Sequence, residues 1–352
     1  MTEKRGLRAV LTLVFVIYMC VFLFTSPEYA KEEVYYSLLL CLRTVVPTLF
    51  PFFVLTSLIV SSGMTSYAGK GFAGAAYRLL GMNAGEAYAL LLGCVGGFPL
   101  GTKAVCELYS AGGTEKKNAE TLAALTNLCS PFFILGASRA LFGETGVGVC
   151  VYCANIIVTL VFLRATSGKR KKRAGAAGTE NGSGAARDRG AARDRGAARD
   201  RGARRETQEP RDAAGKEAEK AENGAEFSFA GAITSSFTSL LSLCGIIAFF
   251  SCVASSVTRY TDLYCFDDRL SVFLGGFLEM TRGVFSLNAI ADPGAKAAIF
   301  AFFVSFGGVS VIAQSSELCR KAGLSSRAFW VIKPIFAVLS TGVSYIFVLF
   351  FR

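Results

Sequence analysis

Residues 90–105 are apolar enough for a membrane interior, yet the run is broken by Gly93, Gly96, Gly97, Pro99 and Gly101 and closed by Thr102 and Lys103. A smooth spanning helix is not written this way. In hydrocarbon an unpaired backbone N–H or C=O costs several kcal/mol, roughly, so a broken helix persists only where protein or a wet cavity surrounds it. Short apolar segments interrupted by Gly or Pro, at corresponding places in two halves of a chain, point to a transporter's binding site. Residues 274–287 are the corresponding segment in the second half.

The rest of the chain supplies the membrane context. Just over half of its residues, 52%, are hydrophobic, and apolar runs recur at 7–24, 36–61, 120–141, 147–163, 233–257, 297–314 and 329–351. About 20 such residues cross the roughly 30 Å of a hydrocarbon core, which predicts an all-α polytopic membrane protein. The first run is too long for a signal-peptide core and lacks a small-x-small cleavage site, so it reads as a retained helix.

A net charge of +11 suggests nucleic acid at first sight, but residues 166–225 hold 16 Lys/Arg against 10 Asp/Glu, more than half of the excess. From Gly184 this segment repeats Gly-Ala-Ala-Arg-Asp-Arg. Such a composition cannot bury a core and predicts a disordered basic linker with weak attraction to anionic lipid. Three regions follow: an N-terminal membrane half, 1–165, with a hairpin at about 84–111; the linker, 166–225; and a C-terminal membrane half, 226–352, with a hairpin at about 270–290. No nucleic-acid partner is expected.

Charge placement sets the expected topology. Lys4, Arg5 and Arg8 precede the first run and Lys169 to Arg173 follow the fourth, so both flanks are assigned to the cytoplasm by the positive-inside rule. If both broken segments are re-entrant, Lys70, Arg78, Lys116, Lys117, Arg320, Lys321 and Arg327 fall on the same side, while Glu28, Glu32, Glu33, Asp262, Asp267 and Asp268 fall opposite. The two hairpins then enter from opposite faces. The expected fold is an inverted repeat with two re-entrant helical hairpins and broken transmembrane helices.

Candidate binding residues cluster at these breaks. In the first hairpin they are Gly97, Pro99, Gly101, Thr102 and Lys103, where glycines allow a tight turn and freed N–H groups face a ligand. Lys103 and Glu107 share a helix face, as a substrate cation with its neighbour or as a self-compensating pair. Asn127 and Ser130 precede Pro131, whose missing N–H frees a carbonyl one turn back; they are candidates for substrate or for sodium, with the freed carbonyls as oxygen ligands. In the second half Glu279, Thr281 and Arg282 belong to the hairpin, and Ser310 and Gln314 to a second broken helix. Arg282 either serves the site or neutralises Glu279.

Other chemistry is excluded on composition. The chain has no histidine, and its 11 cysteines are scattered, so disulfide frameworks and metal centres are not expected. Cys150 and Cys153 form a CxxC inside an apolar run and read as packing residues. Gly101, Thr102 and Lys103 echo a Walker A loop with the last two residues reversed and no preceding strand, which argues against nucleotide hydrolysis. No nucleophile stands beside an evident base, so an enzyme is not expected.

At Leu49 to Phe53, at 96–103 with Glu107, Leu108 and Tyr109, at Asn127 with Ser130 and Pro131, at Glu279 to Thr281 with Gly283, and at 306–310 with Gln314, the chain resembles the nucleoside-recognition (Gate) domain family. The likeness covers both halves and is to the YlbJ-like branch of sporulation integral membrane proteins, a family similar to concentrative nucleoside transporters. It implies elevator-like alternating access driven by sodium or protons, and, for that branch, export of dipicolinic acid from the mother cell across the outer forespore membrane. A planar dianion of this kind needs positive potential, which Lys103, Arg282 and helix N-termini can supply. The expected partners are a small anionic solute and lipid, with no cofactor beyond a coupling ion. The alternatives are a nucleoside carrier and a non-transporting scaffold of a sporulation complex. Residence is expected in the bacterial cell membrane or outer forespore membrane, and the sequence leaves monomer and homo-oligomer open.

Overall fold

The computed structural model describes residues 2–62, 70–187, 229–263 and 268–351, and every regular element among them is helical. Helix α1 (Thr2–Thr25) ends at Ser26, and Pro27, suited to a first helical turn, opens α2 (Pro27–Leu40) at a bend of 103°. A π-helical turn, Cys41–Val45, joins α2 to α3 (Val46–Ser61). Pro47 follows it and cannot donate to the carbonyl of Arg43, which removes one bond of the narrower α register at this point. Helix α4 (Lys70–Leu80) then meets α5 (Ala84–Gly96) at 95°.

The first hairpin consists of α5 and α6 (Leu100–Ser110), turning at Gly97 with φ +80° through a cis Phe98–Pro99 bond. Its open end is clasped by polar groups. Asn83 and Glu86 form a capping box, Glu86 also accepts from the Thr114 hydroxyl at 2.6 Å, and the Asn83 amide donates to the Gly113 carbonyl at 2.9 Å. Next come α7 (Lys116–Leu125) and α8 (Pro131–Phe142), separated by 126–130, and the long α9 (Gly146–Arg187). The expected linker thus begins as a helical continuation of α9, and its part from 188 to 225 lies outside the described residues.

The second half repeats the order. Helix α10 (Phe229–Leu263) is followed by a hairpin of α11 (Asp268–Leu278) and α12 (Met280–Ser286). A broken helix follows, α13 (Pro293–Phe306) and α14 (Gly308–Lys321), pivoting at Gly307 with φ +86°, and α15 (Arg327–Phe351) closes the fold. Long helix, hairpin, broken helix and closing helix occur twice, with α1 and α4 added to the first copy. Among the described residues, Gly146–Thr166, Phe229–Thr261, Pro293–Lys321 and Arg327–Phe350 are long and apolar enough to cross a membrane, and the two bent pairs raise the total to 6. The protein is an all-α polytopic membrane protein. Apolar side chains such as Leu11 and Val14 on α1 and Val331, Val338 and Leu349 on α15 face outwards, as a hydrocarbon solvent requires.

Both hairpins close glycine on glycine. A Cβ at Gly101 would collide with the Thr126 carbonyl and the Cα of Gly93, and one at Gly283 with the Cα of Gly276. Packing then crosses between the halves. Ala104 and Val105 of α6 share a core with Phe306, Ile312, Cys319 and Phe329, whereas Ile134 and Ala137 of α8 share another with Met280, Val284 and Phe300. Each hairpin therefore leans on the broken helix of the other half, and both turns and both breaks arrive at one level.

Candidate functional site

At that level lies a cavity of about 380 Å³, within the range that small-molecule sites occupy. Gly96 and Phe98 reach it from the first hairpin, Cys129 and Ser130 from the first helix break, Glu279, Met280 and Thr281 from the second hairpin, and Val311 and Gln314 from α14. The remaining wall is apolar, with the rings of Phe52, Phe132, Phe133 and Phe285 beside aliphatic residues such as Leu40, Leu49 and Leu243. Apolar walls with a few polar groups are the usual lining of a small-molecule site.

Local sequence explains the polar groups. Ser130 is the N-cap of α8, its Oγ accepting from the Phe133 N–H at 3.2 Å, with Pro131 in the first turn. Glu279 is the N-cap of α12; its carboxylate accepts from the N–H groups of Thr281 at 3.2 Å and Arg282 at 2.7 Å. Glu279 is 3% exposed and is the only charged side chain among the described residues lining the cavity. Its oxygens are held by the first N–H groups of α12, and it has no ion-pair partner among the described residues.

The expected cations are spent elsewhere. Lys103, 4% exposed, forms an ion pair with Glu107, donates to Ser57 Oγ at 2.6 Å and lies 5.3 Å from the centre of the Phe53 ring. It is not among the residues lining the cavity. Arg282 does not neutralise Glu279 through its guanidinium: that group pairs with Glu33 of α2 and donates to Ser255 at 2.8 Å and to Tyr29 and Thr258, each at 3.1 Å. Arg282 and Glu279 both border a smaller adjoining cavity of about 150 Å³. The acids read as an external loop, Glu28, Glu32 and Glu33, lie on α2, because Pro27 starts a helix directly after the bend.

The other candidates divide between scaffold and site. Gly97 packs against Ser130, and Gly101 against Thr126. Thr102 donates to the Ala123 carbonyl at 2.9 Å, tying the hairpin to α7. Pro99 lines a small side cavity that shares Gln314 with the main one. Ser310 is fully buried, and its hydroxyl has no hydrogen-bond partner among the described residues. Asn127 is fully buried, with neither atom of its side-chain amide partnered among the described residues. Its carbonyl accepts from Lys333 Nζ at 2.8 Å.

Lys333 is the residue that sequence reasoning missed. It stands inside the last apolar run, where a lone ionisable side chain is itself the signal. No histidine, cysteine, aspartate or glutamate cluster suited to a metal ion occurs among the described residues.

Comparison with known proteins adds one relationship. Over 150 residues the chain is 26% identical to the sporulation integral membrane protein YlbJ of Bacillus subtilis (strain 168), a match that takes in 42% of this chain and 36% of that protein. The aligned region thus spans little more than a third of the relative's length. No family model matches the chain, so the likeness to the nucleoside-recognition domain rests on the motif residues alone. No solved structure matches it. The chain is a polytopic helical membrane protein similar, over part of its length, to a sporulation integral membrane protein.

Proposed function

We propose that this protein is a secondary transporter of a small planar aromatic solute in a sporulation membrane, with dipicolinate as the solute to test first. The observation that supports this reading is the cavity in which two hairpin turns, the first helix break and the first turns of α14 converge. Irregular backbone at such depth is tolerated where it lines a solute path. Partial similarity to a sporulation membrane protein supports the setting, and a cytoplasmic N-terminus follows from the charge pattern.

The cavity also constrains the solute. With Lys103 and Arg282 held by Glu107 and Glu33, a dianion would be received by hydroxyls, amides and the N-terminus of α8 instead of by a free cation. That arrangement gives modest affinity, which suits a carrier that must release its load. A neutral nucleoside meets the same walls without a charge to satisfy, and is the competing solute.

Uptake by protein reconstituted in liposomes tests the reading, with labelled dipicolinate and uridine offered separately. Dipicolinate uptake above that of empty liposomes is expected. Uridine uptake alone would make the protein a nucleoside carrier, and movement of neither would turn the assignment to a non-transporting scaffold. Spores of B. subtilis lacking YlbJ and carrying this chain give a second readout, their dipicolinic acid content.

A further inference from the structure

Lys333 is 1% exposed, and no carboxylate stands within ion-pair distance of it among the described residues. Its Nζ donates to the Asn127 carbonyl and lies 5.6 Å from the centre of the Phe98 ring and 5.0 Å from that of Phe336. The carbonyl is available because residues 127–130 run in non-helical backbone between α7 and α8, so it has no partner within a helix. Beside it the Asn127 side-chain amide is buried with neither its oxygen nor its nitrogen bonded. The carboxyl end of α7, the negative pole of that helix, terminates at the same break.

These are the parts of a dehydrated monovalent cation site: a freed carbonyl, an amide oxygen, ring faces and a helix C-terminus, all shielded from water. The Lys333 amine already occupies this position, tethered to α15 by its own side chain. We infer that Lys333 is a built-in cation that fills the first helix break in place of a soluble sodium ion, so that solute movement through the adjacent cavity needs no sodium. The clause about movement rests on the transport reading; the occupancy of the break does not.

Thermal unfolding of the purified full-length protein in choline, sodium or methylammonium chloride tests the occupancy. Wild type is expected to melt at one temperature in all three salts. Lys333→Ala is expected to melt lower in choline and to regain a few degrees in sodium or methylammonium, the gain rising with the logarithm of cation concentration as for any ligand that binds the native state. Lys333→Met, which refills the space with an apolar stem, is expected to stay low in all three. A sodium-dependent rise in wild type, or a folded Lys333→Ala indifferent to both cations, would overturn the inference. If Lys333→Ala does not fold, sodium-22 retention by wild type decides: retention overturns it and no retention supports it. Uptake in sodium-free liposomes is a separate readout. A sodium requirement overturns the clause about movement, whereas no uptake of any solute counts against transport and leaves the melting result standing.

Discussion

Replacing Glu107 by Gln asks whether Lys103 serves the cavity or the scaffold. The variant strands an ammonium that is 4% exposed, leaving it Ser57 and the Phe53 ring, whereas Lys103→Met strands a carboxylate that is 26% exposed and can partly hydrate. Removing one partner of a buried pair costs about 3–5 kcal/mol, so Glu107→Gln is expected near 3 and Lys103→Met at about 1–2. At about 2–4 °C per kcal/mol, the first corresponds to a fall of about 6–12 °C in melting temperature. The double variant Lys103→Met/Glu107→Leu removes both charges and is expected within about 1 kcal/mol of wild type, because a buried ion pair is often no better than an apolar pair of the same size. Thermal unfolding in detergent gives the stabilities, and dipicolinate uptake by the double variant gives the function. A double variant that folds like wild type yet loses uptake would refute the scaffold role and return Lys103 to the substrate.

Three further outcomes follow from the geometry. Gly283→Ala, whose methyl would meet the Cα of Gly276, should cost about 1–3 kcal/mol by overpacking, while Gly342→Ala, with open space around it, should be neutral or gain up to about 1 kcal/mol; melting temperatures compare the two. Arg282→Met should destabilise by about 1–2 kcal/mol through stranded Glu33, which is 23% exposed and can partly hydrate, and Glu33→Gln added to it should recover most of the loss in a double-mutant cycle. Glu279→Gln keeps an oxygen at the α12 cap, so stability should fall by less than about 1 kcal/mol. Because it removes the only negative charge among the described lining residues, half-saturation by dipicolinate should drop several-fold in the uptake assay. Loss of uptake with folding intact would mean that the carboxylate takes part in transport.

Much of the architecture was legible because membrane burial makes backbone irregularity expensive. The interruptions at Gly96 to Gly101, at Asn127 to Pro131 and at Gly307 announced turns and breaks, since each would otherwise be an unexplained cost in hydrocarbon. That Pro131 frees a carbonyl near Asn127 could also be read directly. Partner choice could not. The pairing of Lys103 with Glu107 was one of two readings of their four-residue spacing, whereas the acid that meets Arg282 is Glu33 on α2, distant in sequence and placed by tertiary packing. Glu33 was placed only by charge counting, on the face opposite the basic clusters, and its position on α2 beside Arg282 comes from tertiary packing. The helical extension of α9 to Arg187 escaped a reading based on composition, which weighs the absence of a core more than local helix preference.

The contact of Gly93 with Gly101, and of Gly276 with Gly283, bears on how a gate can be built here. Arms that touch backbone to backbone have no side chains to slide past one another, and parting them would strip close packing from both at once. Each pair is a wedge and not a pair of tweezers. Under the proposed transport function, opening a passage would shift a whole wedge along the seam with the opposite half. Under that reading cargo would be handed over by moving two solid pieces, the first of them clasped at its outer end by Asn83, Glu86 and Thr114.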